Sequence, residues 1–272
     1  AESEGVELPE SLEVKTYSDP VQDERKYLYF GEKLKHKNPG EAELRRLSTD
    51  PLFTAGWLLD TGEADASVAG SIASTGDVIR SALRTVGVAE NSELVSSSFL
   101  MEMPDGRVFT YADCGVVPYP DSSQLASIAV DAAKTHHLLT GEEPVIAFLS
   151  FSTKGSARHE RVDLVTEALR LAKSKKPGWR MDGELQFDAA AVPSVAARKA
   201  PDSDVKGDAN VFIFPNLDSG NIAYKITERL AGATATGPLL QGLKKPIMDL
   251  SRGCSIDDIV NTVCVASLLA NE

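Results

Sequence analysis

The stretch DLSRGCSIDDIV, residues 249–260, sets Arg252 between Ser251 and Gly253 and follows it closely with Asp257 and Asp258. A guanidinium in a tight turn presents a planar fork that matches two oxygens of a phosphate or carboxylate. A carboxylate a few residues on can accept a proton, and a serine hydroxyl beside the arginine can donate to an oxygen on which negative charge develops. Together these residue types can hold an anion and remove a proton. They also have a plainer reading. Ser255 and Asp258 have the S-x-x-D spacing of a capping box, and Asp257 favours the positive end of a helix dipole. Arg252 is then a surface or C-capping arginine.

Other loops carry weaker signals. Arg80 falls in the first turns of a helix after the small-residue loop SIAST, where an arginine is ordinarily solvated. In SFSTKGSARH the Lys and Gly stand in the wrong order for a phosphate-binding G-x-x-x-x-G-K-[ST] loop, so nucleotide hydrolysis is unsupported. As a strand-to-helix loop it still offers Ser152, Lys154 and backbone N–H groups to an anion. NLDSGN reads as a turn and N-cap with Gly220 at a positive φ, and its place after a buried strand favours Ser219 and Asn221 as cleft residues. Cys114 has no histidine or other base close in sequence, and Cys254 reads as packing. The four histidines lack a metal-ligand constellation, and His136-His137 near a helix end reads as a dipole contact.

These residues need elements to position them. Residues 20 to 60 read as helical, broken at Pro39-Gly40 and Asp50-Pro51. A short strand, ASVAG, enters SIAST, and Ser74 with Asp77 has capping spacing at the next helix. VSSSFLMEM and RVFTYADCGVV flank Pro104-Asp105-Gly106 and read as a hairpin. Beyond it, helix (122–139), strand (144–150), helix (158–174), the buried-type strand VFIFP, a further helix and a strand near 233–236 alternate. That alternation implies a largely parallel sheet, with ligands beyond the C-terminal strand ends. The hairpin points to a second unit with its own sheet.

With 272 residues, 42% apolar and 25% charged, the chain has material for one large or two smaller α/β units. A net charge of −12 argues against nucleic acid or an anionic membrane as partner, and requires any anion site to be made positive locally. No apolar run is long enough for a membrane span. The acidic start AESEGVELPESLEV lacks the apolar core of a secretory signal, and three cysteines suggest a reducing compartment. The cytoplasm is the expected location.

Eight stretches, in order, resemble the phosphate acetyltransferase (phosphotransacetylase) family: EADASVAGS, GDVIRSALR, YADCGVVPYP, FLSFSTKGSARH, GELQFDAA, FPNLDSGNIAYK, GPLLQGLKKPIMDLSRG and DDIV. The resemblance runs from about residue 16 to the end. It implies two α/β domains with mostly parallel sheets, arranged as in isocitrate and isopropylmalate dehydrogenases, with the active-site cleft between them. On that basis residues 1–95 with 237–272 form one domain and 96–236 the other. It further implies a homodimer that interconverts acetyl-CoA plus phosphate with acetyl phosphate plus CoA, with no metal and no cofactor beyond coenzyme A as substrate. Asp258 matches the position that deprotonates the CoA thiol, Arg252 and Ser251 match the active site, and Arg80 matches a phosphate or CoA contact. Cys114 then lines the cleft near the CoA thiol rather than carrying the acyl group. An ordinary aspartate is a weak base for a thiol, a mismatch of roughly 6 kcal/mol from their reference pKa values. Burial of the carboxylate, or a cation such as Arg252 beside the thiol, would have to offset it.

Two features depart from the family. Its opening strand–helix segment near an LPEGED-like motif has no counterpart, so the first domain is expected to be truncated or differently built. Its ELRKHKG stretch reads EKLKHKN here, with Leu34 in place of an arginine expected to face the cleft. Weakened phosphate or CoA binding, restored by Leu34→Arg, is the corresponding expectation. A phosphate butyryltransferase-like specificity and a catalytically silent, ligand-sensing domain are the alternative readings.

Overall fold

The computed structural model describes residues 19–176 and 178–271. The acidic N-terminal stretch and the start of the family resemblance lie outside the described residues. Three helices come first: α1 (Pro20–Lys33), α2 (Glu41–Ser48) and α3 (Pro51–Asp60). Asp19 and Asp50 cap α1 and α3 ahead of a proline in the first turn. Phe30, Leu44, Leu47, Phe53 and Trp57 join the three helices into one apolar cluster.

Leu34 belongs to that same cluster and is 3% exposed. Helix α1 ends at Lys33, and Leu34 is its C-cap, its N–H donating to the carbonyls of Glu32 and Phe30. The expectation that residue 34 faces a cleft is therefore overturned: the position is an inward-turned cap, and its side chain completes a core.

Two sheets follow. β1 (Ser67–Ala69) and β8 (Ile247–Asp249) pair in parallel, with α4 (Thr75–Arg84) leaving the loop after β1. The other sheet has the order β5-β4-β6-β3-β2-β7. Its strands are β2 (Ser96–Glu102), β3 (Val108–Ala112), β4 (Val145–Leu149), β5 (Arg180–Leu185), β6 (Val211–Ile213) and β7 (Thr234–Gln241). β5, β4, β6 and β3 run in parallel, and β2 is antiparallel to both β3 and β7. The expected hairpin is β2–β3, built into the middle of this sheet. β7 runs through residues 236 and 237, where the sequence reading sets a boundary between its two units.

Helices α5 (Ser122–Thr140) and α6 (Glu160–Lys175) cover one face of the large sheet through Leu125, Ile128, Phe148 and Val165. Helices α7 (Phe187–Ala191), α8 (Pro193–Lys199) and α9 (Leu217–Ala231) follow β5 and β6, and α10 (Ile256–Ala270) follows β8. No helix among the described residues is long and apolar enough to cross a membrane. His136 proves to be a core residue rather than a dipole contact: it is fully buried with Nδ1 3.0 Å from Thr110 Oγ1.

Candidate active site

A cleft of about 350 Å³ lies between α9 and α10, floored by β7. Helix α9 contributes one face: Tyr224, Lys225 and Glu228 line the cleft, with Arg229 beside them. Their i, i+1, i+4, i+5 spacing, with Asn221 one turn earlier, is a single helical stripe. The α10 side brings Ser251, Gly253, Cys254, Asp258, Asn261 and Thr262. The floor is opened by a bulge in β7, where Ser98 pairs with Leu239 but Leu100 pairs with Thr236, leaving Gly237 and Pro238 opposite Phe99. Gly237 has φ 155°, and a Cβ there would come within 2.8 Å of the Phe99 ring, so the bulge requires glycine.

The DLSRG turn is anchored from behind. Leu250 N donates to Ala69 O at 2.7 Å, and Thr75 Oγ1 at the start of α4 donates to Asp249 Oδ2 at 2.5 Å. Asp249 is buried, and burial raises its pKa. Gly70 is needed here, because a Cβ would meet Asp249 Oδ1 at 2.3 Å. These contacts hold the SIAST and DLSRG loops together at the C-terminal ends of β1 and β8, where the strand-end rule places ligands.

Of the expected residues, the structure brings Ser251 and Asp258 to this cleft, with Arg252 between two lining residues. Arg252 is exposed and makes no ion pair or side-chain hydrogen bond among the described residues. Asp258 realises the capping box, its Oδ2 accepting from Ser255 N at 2.8 Å while Ser255 Oγ accepts from Asp258 N at 3.1 Å. It lines the cleft as well, so the cap and the site share one residue. Asp258 is exposed, so the burial that the sequence reading called for is not found. The wall and rim carry Lys225, Arg229 and Arg252 against Glu228 and Asp258, a local positive excess in an acidic chain.

The remaining expected residues stand elsewhere. Arg80 is exposed and paired with Asp77 at 2.5 Å, one turn beyond Thr75 and so on the helix docked to Asp249. Ser152 Oγ donates to buried Glu184 at 2.8 Å, Gly155 N donates to the same carboxylate at 2.7 Å, and Lys154 Nζ donates to Asp182 at 2.5 Å. The donors expected to cradle an anion from solution are thus bound to two carboxylates of the chain itself. Asn216 caps α9, its side chain accepting from Ser219 N at 2.9 Å, and the Ser219 hydroxyl donates back to Asn216 O at 2.9 Å. Asn221 donates to Cys114 O at 3.0 Å and accepts from Lys225 at 2.9 Å, linking the cleft stripe to the turn after β3. Gly220 is helical rather than at positive φ; it is required because a Cβ would meet Asp113 O at 2.2 Å.

Cys114 does not line the cleft. It is fully buried, and burial, with Asp113 beside it, pushes its thiol well up. A protonated, buried thiol is a poor nucleophile, which fits the reading that it carries no acyl group. In the native chain Cys114 should resist alkylation at pH 8 and label only on unfolding. Modification at the rate of an exposed thiol, located by peptide mapping, would contradict this placement.

Sequence reasoning missed Tyr224, Lys225, Glu228 and Arg229 of α9, the β7 bulge, Phe99, Asn261 and Thr262. The polar stripe of α9 and the Gly237-Pro238 pair inside a strand were the available signals.

Comparison with known proteins gives a consistent result. The family profile described as "Phosphate acetyl/butaryl transferase" matches residues 2–267. A phosphate acetyltransferase of Acetivibrio thermocellus is 45% identical over 272 residues, covering 98% of this chain and 80% of that protein. The structure of the EutD phosphotransacetylase from Staphylococcus aureus superposes with a TM-score of 0.89 at 39% identity, covering 99% of this chain and 82% of that one. A phosphotransacetylase from Streptococcus pyogenes gives 0.90 at 40% identity, covering 95% and 78%. The cleft between α9 and α10, its DLSRG turn and this likeness along nearly the whole length lead to one assignment: the chain belongs to the phosphate acetyl/butaryl transferase family.

Proposed function

We propose that this chain catalyses reversible transfer of an acetyl group between coenzyme A and phosphate. The observation that carries the reading is Arg252, without an ion pair among the described residues, at the rim of a cleft lined by Ser251 and Asp258. Arg252 forks onto the phosphate oxygens of acetyl phosphate; Arg80, on the helix docked to Asp249, joins it only by leaving Asp77. Asp258 takes the thiol proton of CoA. The thiolate sulfur bonds to the carbonyl carbon, Ser251 donates to the carbonyl oxygen as charge grows there, and the carbon–oxygen bond to phosphate breaks with its electron pair leaving on phosphate. No covalent enzyme intermediate is needed, so rate enhancement rests on positioning and charge stabilisation.

Coenzyme A, phosphate and acetyl phosphate are then the ligands. A homodimer is supported by apolar residues left exposed at one-turn intervals: Ile222, Ile226 and Leu230 on α9, and Ile256, Val260 and Val263 on α10. Three unpaired cysteines support the cytoplasm as location. Leu34, one of the two departures from the family, is buried in a core and so does not mark a lost anion contact in the cleft.

The test is thioester formation from CoA with acetyl, propionyl or butyryl phosphate as donor. Acetyl-CoA should form fastest. Product from butyryl phosphate alone would replace the acyl assignment, and CoA binding without any product would replace catalysis by sensing.

Asp258→Asn separates the cap from the base. The amide still offers an acceptor to Ser255 N, so stability should change by no more than about 1 kcal/mol. Turnover should fall by roughly 100-fold or more, since an amide cannot take the thiol proton. A lowered melting midpoint with turnover intact would leave Asp258 as a cap alone.

A further inference from the structure

The acyl donor in this reaction is polar at its phosphoryl end and apolar only beyond its carbonyl carbon. The cleft is divided in the same way. Its cations and hydroxyls stand on the exposed stripe of α9 and the start of α10, whereas Phe99, Tyr224, Pro238 and Leu250 supply its apolar lining. Leu250 immediately precedes Ser251, so the apolar end begins one residue from the hydroxyl assigned to the carbonyl oxygen.

Phe99 is held on several sides. Its ring stacks on Tyr224 with centroids 4.0 Å apart and planes 13° from parallel. Gly237 in the β7 bulge abuts it closely enough that a Cβ would collide. The ring is 6% exposed and continues into the core that contains Met101, Tyr111 and Cys114. A side chain packed in this way has little room to retreat from a longer ligand.

We infer that Phe99, fixed by its stack on Tyr224 and by Gly237, is the end wall of the acyl pocket and limits the acyl chain this protein accepts. The inference rests on the acyl-transfer reading above. It assigns short-chain acyl phosphates, acetyl before propionyl and propionyl before butyryl, as the substrate class, with the wall excluding longer chains by overlap.

The experiment compares kcat/KM for acetyl, propionyl and butyryl phosphate, with CoA as acceptor, in the parent, Phe99→Leu and Phe99→Ala. One methylene in a close-fitting apolar pocket is worth roughly 10- to 200-fold in discrimination. The parent should therefore lose activity at each added methylene. Phe99→Ala should raise the butyryl-to-acetyl ratio by roughly 30-fold or more, and Phe99→Leu by a smaller factor in the same direction. The ratio is the readout because general loosening of the fold lowers all donors alike. If truncation to alanine abolishes the native melting transition, the leucine variant carries the test. An active parent whose ratio stays within about 3-fold in a folded variant overturns the wall, well below the per-methylene scale. So does a parent that prefers butyryl phosphate. A parent that forms thioester from none of the donors overturns the reaction itself, and the inference with it.

Discussion

Arg252→Ala should lower kcat/KM for acetyl phosphate by roughly 150- to 900-fold, the equivalent of about 3–4 kcal/mol of transition-state stabilisation. Two hydrogen bonds to a charged phosphate, each worth about 1.5–3 kcal/mol, are lost together, and imperfect pairing keeps the sum near the lower part of that range. The side chain has no other engagement among the described residues, so its removal costs the fold little and the effect is confined to the site. Arg252→Lys retains the charge without the fork and should fall between the two. The check is steady-state kinetics with phosphate and acetyl phosphate varied separately, alongside a melting curve. A variant within a few-fold of the parent in both turnover and phosphate saturation would place Arg252 outside the site.

Leu34→Arg should destabilise the protein by about 3–5 kcal/mol and do nothing for substrate binding. Leu34 is enclosed by Phe30, Leu44, Leu47, Phe53 and Trp57. The substitution removes a fully packed side chain and sets a guanidinium among apolar groups with no carboxylate in the cluster to pair it. Extension of the charged end toward water limits the penalty, which keeps the cost near that of a large core truncation. For a chain of this size the melting midpoint should drop by roughly 6–20 °C. An unchanged midpoint, or a lower Michaelis constant for phosphate or CoA, would show that residue 34 turns outward after all.

Local features of the fold were legible because their physical causes are local. Ser74 before Asp77 and Ser255 before Asp258 each satisfy orphan helix donors within three residues, so the pattern is visible in the string itself. The same holds for the Pro104-Asp105-Gly106 turn between β2 and β3. β5 was not legible. Its sequence, RMDGEL, carries Asp182 and Glu184 where a buried strand would be apolar, and neither charge makes sense without partners from another loop. Those partners are Lys154 for Asp182, and Ser152 with Gly155 for Glu184, roughly thirty residues earlier in the chain. The same pairing explains why Ser152 and Lys154 looked like anion ligands.

By itself the sequence determined the capped starts of α4 and α10, the hairpin, the family resemblance and the chemical types gathered in DLSRGCSIDDIV. All of these depend on residue type and short spacing. Tertiary structure decided which candidates meet. The cleft joins Phe99 of β2 to Tyr224 of α9, to Gly237 of β7 and to Asp258 of α10, residues separated by much of the chain and brought together by the pairing of β2 with β7. It also decided burial, which no short pattern encodes. Cys114 and Leu34 are both enclosed because neighbouring elements close over them, turning one from a cleft thiol and the other from a cleft position into parts of two cores.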